Sequence, residues 1–258
     1  MTVNNIARNM MSDSMMRVAS GKRVNSAADD AAGLAIAQNM ETQIRGLDQG
    51  ERNTNDMQNM VQTAEGGLDT ISDSLNRIRE LSVQGLNNGI YNESQRAMIR
   101  EEIGQLADGI KAAVNGVEFN TQNLLDGTVN NANTASSPDG TGAVFSINDM
   151  SSIAQAMTAI AEDGSFDLEK IDAAISQVAE ERANLGSMSN RMDFTANANS
   201  ISSLNLVDSR SRIADADMAK EMMAVEQEKI LNEAQVMLQR NAQEQEEEEK
   251  THILQTGV

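Results

Sequence analysis

Residues 33–85 read GLAIAQNMETQIRGLDQGERNTNDMQNMVQTAEGGLDTISDSLNRIRELSVQG, and their spacing decides the fold. Stepping by alternate fours and threes picks out Ile36, Met40, Gln43, Leu47, Gly50, Thr54, Met57, Val61, Ala64, Leu68, Ile71, Leu75, Ile78 and Ser82. From Met57 to Ile78 every such position is apolar, and Gln, Thr, Asp, Ser, Asn and Arg lie between them. That is the 3.5-residue seam of a coiled coil, sustained for longer than an ordinary globular helix. One helix over this stretch would be about 80 Å long at 1.5 Å per residue. Its apolar edge needs partner helices, from the same chain, from other chains, or from both. Gly66 and Gly67 interrupt the stretch at about 1 kcal/mol each relative to alanine, so a kink or a close helix–helix approach is expected there.

Outward from this stretch, composition narrows the class. Aromatic residues are 2% of the chain, with no Trp, so the core must be built from Leu, Ile, Val, Ala and the 17 Met. Met suits irregular helix–helix seams. A single Pro leaves almost nothing to interrupt helices. The net charge of −19 argues against nucleic acid, which requires basic surfaces, and against anionic membranes. No 18-residue apolar run exists, so no transmembrane helix is expected. The N-terminus, Met1-Thr2-Val3-Asn4-Asn5, lacks the basic and apolar regions of a cleaved secretory signal. With no Cys, disulfides and thiol chemistry are excluded. The one histidine is His252, which excludes paired-histidine zinc sites and leaves no basis for a histidine triad. No catalytic, metal or cofactor site is expected.

Along the chain, Ile6, Met10, Met15, Met16 and Val18 form a short helical stripe. Gly21, Asn25 and Ser26 break it, and Asp29-Asp30 suits the first turn of the next helix better than a metal site. Asn87-Asn88-Gly89 signals a turn, after which Ile99, Ile103, Leu106, Ile110 and Ala113 resume the seam in a helical hairpin. Periodicity then stops between Asn115 and Gly142, where short β-hairpins are expected. Within that region, 128–142 is expected to be dispensable, since shortening it changes mainly loop-closure entropy. Helical spacing returns at Met150, Ile153, Met157 and Ile160, and breaks at Asp163-Gly164. It resumes at Leu168, Ile171, Ile175, Val178, Leu185 and Met192, running on to Leu206. Ile213, Met218, Met222, Val225, Ile230, Met237 and Leu238 mark a final amphipathic helix, followed by a glutamate run expected to stay solvated and unfolded over 244–258. The expected fold is all-α: a long antiparallel, coiled-coil-like helical bundle with a small β-hairpin tip at about 115–150.

Several of these stretches resemble bacterial flagellin. RVASGKRVNSAADDAAGLAIAQ (17–38), LNRIRELSVQ (75–84) and VEFNTQNLLDG (117–127) match its N-terminal region in order. NRMDFTANANSISSLNLVDSRSRIADADMAKEM (190–222) is similar to its C-terminal signature. The resemblance implies a structural, non-enzymatic subunit of the flagellar filament, exported through the flagellar type III apparatus and polymerising outside the cell to serve motility. It implies an inner-tube layer from 1–32 and 209–258 and a helical core domain over 33–208. Its implied partners are further copies of the chain, an export chaperone and a cap protein. It also carries three contact positions for an animal Toll-like receptor onto Arg77, Leu81 and Glu102, residues whose other reading is packing between subunits.

Departures from the family pattern are confined to three places. The family usually carries an Asn-rich extended segment ahead of the position of Met1. Thr121 stands where glycine is usual, and EQEEEEKTHILQTGV (244–258) replaces an apolar end free of acidic runs. Two alternatives keep the resemblance: a hook–filament junction protein, and a secreted or displayed flagellin-like protein that binds a partner or receptor without polymerising.

Overall fold

The computed structural model describes residues 13–255; the expected positions Ile6 and Met10 lie outside them. Helix α1 covers 13–20. It is followed by α2 (Ala31–Gly85), α3 (Glu93–Gly116), α4 (Ser151–Asp163), α5 (Leu168–Ala214) and α6 (Met218–Gln255). Strands β1 (Glu118–Phe119) and β2 (Gln122–Asn123) form one antiparallel hairpin, and β3 (Ala132–Ala135) and β4 (Gly142–Phe145) a second. The chain divides into two compact units, Ile44–Ser203 and Met1–Gln43 with Leu204–Val258.

The helices begin where the sequence supplies an oxygen for their free N–H groups. The Asp30 carboxylate accepts from Gly33 N at 2.8 Å, Asp167 from Glu169 N at 3.1 Å, and Asp217 from Ala219 N at 3.1 Å. Asn92 and Gln95 form a reciprocal capping box at the start of α3. Asp29 braces the turn before α2 instead. It accepts from Ser26 N, Ser26 Oγ and Asn25 N, and these bonds, the Ser26 backbone first, hold its carboxyl below the usual range.

In Ile44–Ser203 the expected seam is the core. Val61, Ala64, Leu68, Ile71, Leu75 and Ile78 have no exposed surface. Ile103 and Ile110 of α3, Met157 of α4 and Ile171 and Val178 of α5 close over them. Cross-helix pairs give the direction: Gln58 to Asp193, Asp69 to Arg182 and Arg79 to Asp172, so α5 runs antiparallel to α2. The glycine pair resolves as a close approach. A Cβ on Gly67 would lie 2.6 Å from Val117 Cγ2, whereas Gly66 faces open space. Beneath it, Leu124 and Leu125 are completely buried.

Three expectations change. Early in α2 the buried apolar side chains are Ala37 and Ile44, while Ile36 and Gln43 are exposed; the step between Met40 and Leu47 is four then three. Both orders keep a 3.5 period, and the apolar Ile44 takes the inward place that Gln43 would fill poorly. The segment 128–142 is tied down rather than spare. Val129, Thr134 and Ser136 are buried, Asn53 of α2 donates to Ala135 O at 2.8 Å, and Asn199 of α5 donates to Ser136 O at 2.7 Å. The segment presses so closely on α2 that a Cβ on Gly50 would collide with Ser136 O. Finally, the acidic run continues α6 as helix through Gln255, and the remaining tail positions lie outside the described residues. Glu, Gln, Ala and Lys are strong helix formers, and no Gly or Pro stands between Met218 and Gln255 to stop them.

In the second unit, residues 21–24 and 213–216 cross-link the two chain ends. Arg23 N donates to Ala214 O at 2.7 Å, Ala216 N to Gly21 O at 3.0 Å, and the Arg23 guanidinium to Ile213 O at 2.6 Å. Val24 is buried there, and Arg210 pairs with Glu41.

Replacing Leu68 or Leu75 by Ala is expected to cost about 2–5 kcal/mol, as a cavity left in a core with no exposed surface; urea denaturation measures it, and a loss under about 0.5 kcal/mol would deny the seam its role. The β1–β2 hairpin carries the opposite opportunity. Its two-residue loop, Asn120-Thr121, has φ of 50° and 65°, the sign pattern of a type I′ turn that favours glycine at its second position. A β-branched residue there is strained, so Thr121→Gly is expected to stabilise by about 1 kcal/mol, read as a higher urea midpoint.

Candidate functional site

The surfaces of the two units differ in kind. In Ile44–Ser203 most large apolar side chains are inside. In the other unit they are outside: Met222, Ile230, Leu231, Met237 and Leu238 of α6 are each 59–68% exposed, and Met15 and Met16 of α1 are 46% and 53% exposed. The Ser14 hydroxyl donates to Glu228 Oε1 at 3.3 Å, and Arg17 lies 3.8 Å from both Glu221 and Asp29. Between α1 and α6 runs an open groove of about 410 Å³, lined by Met15, Val18, Ala19, Met222, Val225 and the stems of Glu226 and Lys229. A second groove, also about 410 Å³, follows α6 past Val236 and Met237 to Arg240. The first groove carries Glu226 and Lys229 in its lining, and the second Lys229, Glu233 and Arg240. Among the described residues no group of three or more His, Asp or Glu forms a metal site, and no helix is long and apolar enough to cross a membrane.

The three residues brought forward as contacts separate on the structure. Arg77 of α2 and Glu102 of α3 meet on the surface of Ile44–Ser203. The guanidinium donates to Glu102 Oε1 through Nη2 at 2.9 Å and Nε at 3.2 Å, and to Glu80 Oε2 through Nη1 at 3.1 Å. These bonds, Glu102 first, raise the guanidinium pKa further above its ordinary value, so it stays charged at any relevant pH. Leu81 is not beside them on the surface. It is 2% exposed, inside the core with Ile78 and Ile103. The seam broadens at this end of α2, burying 78, 81, 82 and 85 together, and a strict four-three count does not register that widening.

Sequence reading also passed over an exposed apolar group at the α2–α3 turn. Leu86, Ile90 and Met98 are 48%, 75% and 69% exposed, and Phe194 on α5 is 78% exposed. Their signal was available: each is a large apolar residue off the seam.

With this geometry in hand, the comparisons with known proteins agree with one another. The sequence model for the bacterial flagellin N-terminal helical region matches residues 1–130, and that for the C-terminal helical region matches 168–247. A flagellin of Halalkalibacterium halodurans is 41% identical over 244 residues, covering 90% of this chain and 88% of its own. A flagellar filament core protein of Brachyspira hyodysenteriae is 34% identical, covering 88% of this chain and 87% of its own. Among solved structures, a putative flagellar hook-associated protein from Vibrio parahaemolyticus aligns with a TM-score of 0.56 over 72% of this chain and 100% of its own; at 18% identity it speaks for the helical fold alone. Two family regions covering most of the chain, joined to relatives of this identity and extent, leave one conclusion: the chain belongs to the bacterial flagellin family.

Proposed function

We propose that this protein is a structural subunit of the bacterial flagellar filament, with no catalytic role, self-assembling through its helices outside the cell to serve motility. The observation that carries the reading is the exposed apolar stripe on α1 and α6. Monomeric soluble proteins rarely leave a contiguous apolar surface of this kind uncovered. Further copies of the chain cover it in a polymer, where hydrophobic burial supplies the driving force. In this reading 1–32 and 209–258 form the inner layer of the tube and 33–208 the helical core domain around it. Export in an unfolded state through the type III apparatus, a chaperone that shields the apolar helices beforehand, and a cap protein at the growing end complete the proposed set of partners. The charge of −19 keeps nucleic acid off that set.

Charge also sets the conditions for assembly. Between Arg240 and Val258 five glutamates face only Arg240 and Lys250, a net charge of −3. Copies packed at inner-tube spacing repel through this run, since the Debye length is about 8 Å at physiological ionic strength. Electron microscopy and sedimentation of the purified chain test the reading. Filaments are expected above a threshold concentration that falls as NaCl rises. Changing Glu246, Glu247, Glu248 and Glu249 to Gln is expected to lower the threshold and flatten its salt dependence. A chain that forms no polymer at any concentration or salt would overturn the reading, and identical curves for the two proteins would remove the tail's charge from it.

A second reading is favoured by the paired Arg77 and Glu102: recognition by a Toll-like receptor, with these two as surface contacts and Leu81 supporting α2 from beneath. Arg77→Ala and Glu102→Ala are expected to leave helicity and melting temperature unchanged while weakening receptor binding. Leu81→Ala is expected to cost about 2–5 kcal/mol of stability as a core truncation. A wild-type chain without receptor affinity, or surface variants that bind as well as it does, ends this second reading.

A further inference from the structure

Sulfur is distributed unevenly over this molecule. The chain has 17 methionines and no cysteine, so the thioether is its sole sulfur function. In Ile44–Ser203 the methionines are interior: Met60, Met150, Met157 and Met192 are at most 8% exposed, Met57 and Met188 are partly buried, and Met98 alone is open. In the other unit the described methionines are on the surface. Met15, Met16, Met218, Met222, Met223 and Met237 are 41–66% exposed, and Met40 is the one partly covered. Met15 and Met222 face each other across the α1–α6 groove, and Met237 lines the groove farther along α6.

From this distribution we infer that the six exposed methionines of α1 and α6 are sites of reversible S-oxidation that switches the unassembled chain off. This rests on the filament reading above, because it takes the α1–α6 surface as the one that copies bury. The oxidant is a hydroperoxide, and hydrogen peroxide suffices. A sulfur lone pair attacks one peroxide oxygen, the S–O bond forms as the O–O bond breaks, and the departing hydroxide leaves as water with the transferred proton. Sulfur is oxidised by two electrons and peroxide is reduced by two. A chain with no thiol offers no faster internal target, so the reaction falls on accessible thioethers. The product is a strongly polar sulfoxide in place of a flexible apolar side chain. On an exposed surface this costs the monomer little. Buried against a neighbouring copy without a hydrogen-bond donor, the sulfoxide is penalised, and six are carried by every subunit. Return requires a dithiol reductase: the sulfoxide oxygen leaves as water while two thiols become a disulfide. Once copies are packed the same sulfurs are covered, so the polymer resists what the free chain does not.

The full chain is treated with hydrogen peroxide before assembly, and oxidation is located by peptide mass spectrometry. Oxygen is expected on the six surface methionines and on Met98, with Met60, Met150, Met157 and Met192 spared. The treated chain is expected to keep its helicity and to need at least about tenfold higher concentration to polymerise, a factor equivalent to about 1.4 kcal/mol per subunit. A thioredoxin-coupled methionine sulfoxide reductase restores the original threshold. Replacing all six by Leu is expected to abolish the response, and Met98→Leu to leave it intact. Where the six-fold variant assembles poorly before treatment, Met15→Leu with Met222→Leu is compared and is expected to blunt the response. The inference is overturned if the treated chain polymerises as before, if interior methionines oxidise as fast as surface ones, or if the six-fold variant still responds. An untreated chain that never polymerises is a different result: it removes the filament reading, and the switch with it.

Discussion

A 55-residue helix with an apolar edge is not stable in water on its own, and within Ile44–Ser203 the other elements answer that constraint. The seam residues Val61, Ala64, Leu68, Ile71, Leu75 and Ile78 of α2 have no exposed surface because α3, α4 and α5 each turn an apolar edge toward them. Apolar contact alone would tolerate a slip by one heptad, since each step along the seam resembles the next. Arg79–Asp172, Arg182–Asp69 and Gln58–Asp193 distinguish the registers. They are half exposed and add little energy. Their contribution is to make one alignment better than its neighbours. The tip follows the same constraint at its own scale. Gly67 lets Val117 and Leu125 approach α2, and Gly50 does the same for the carbonyl of Ser136.

Much of this was legible because it depends on period and punctuation. The α2 seam from Thr54 to Ser82, the hairpin turn near Asn87, the break at Gly164 and the capping role of Asp30 follow from local rules, whereas Asp29 braces the preceding turn. What was not legible depends on neighbours. The segment 128–142 has no periodicity of its own, and its hold comes from Asn53 and Asn199, which are 82 and 63 residues away from the carbonyls they bind. Gly46 and Gly50, one helical turn apart, were the available sign that a backbone lies against α2 there. In the glutamate run charge does not mean disorder: a solvated helix tolerates charge, and no Gly or Pro up to Gln255 stops one. At the contact residues, Arg77 and Leu81 stand four positions apart, near one face of α2, yet only Arg77 is on the surface. Leu81 is buried with Ile78 and Ile103, and Phe166, itself 2% exposed, packs against Gly85 at the same end of α2.

The two units therefore embody different solutions to the same problem. Ile44–Ser203 covers most of its apolar surface internally, and substitutions in its core act on stability. The unit formed by the chain ends joins its segments through main-chain bonds at 21–24 and 213–216 while α6 keeps its apolar residues exposed. A subunit that must be soluble before assembly and insoluble afterwards needs that division. A chain with every apolar face covered would have no reason to polymerise, and one with none covered would aggregate without order. The exposed methionines of α1 and α6 fit the same division. Their unbranched, polarisable side chains adapt to surfaces whose partner arrives later. The interior seam of Leu, Ile and Val, by contrast, has its partners from the moment the chain folds, and stiffer side chains define that packing better.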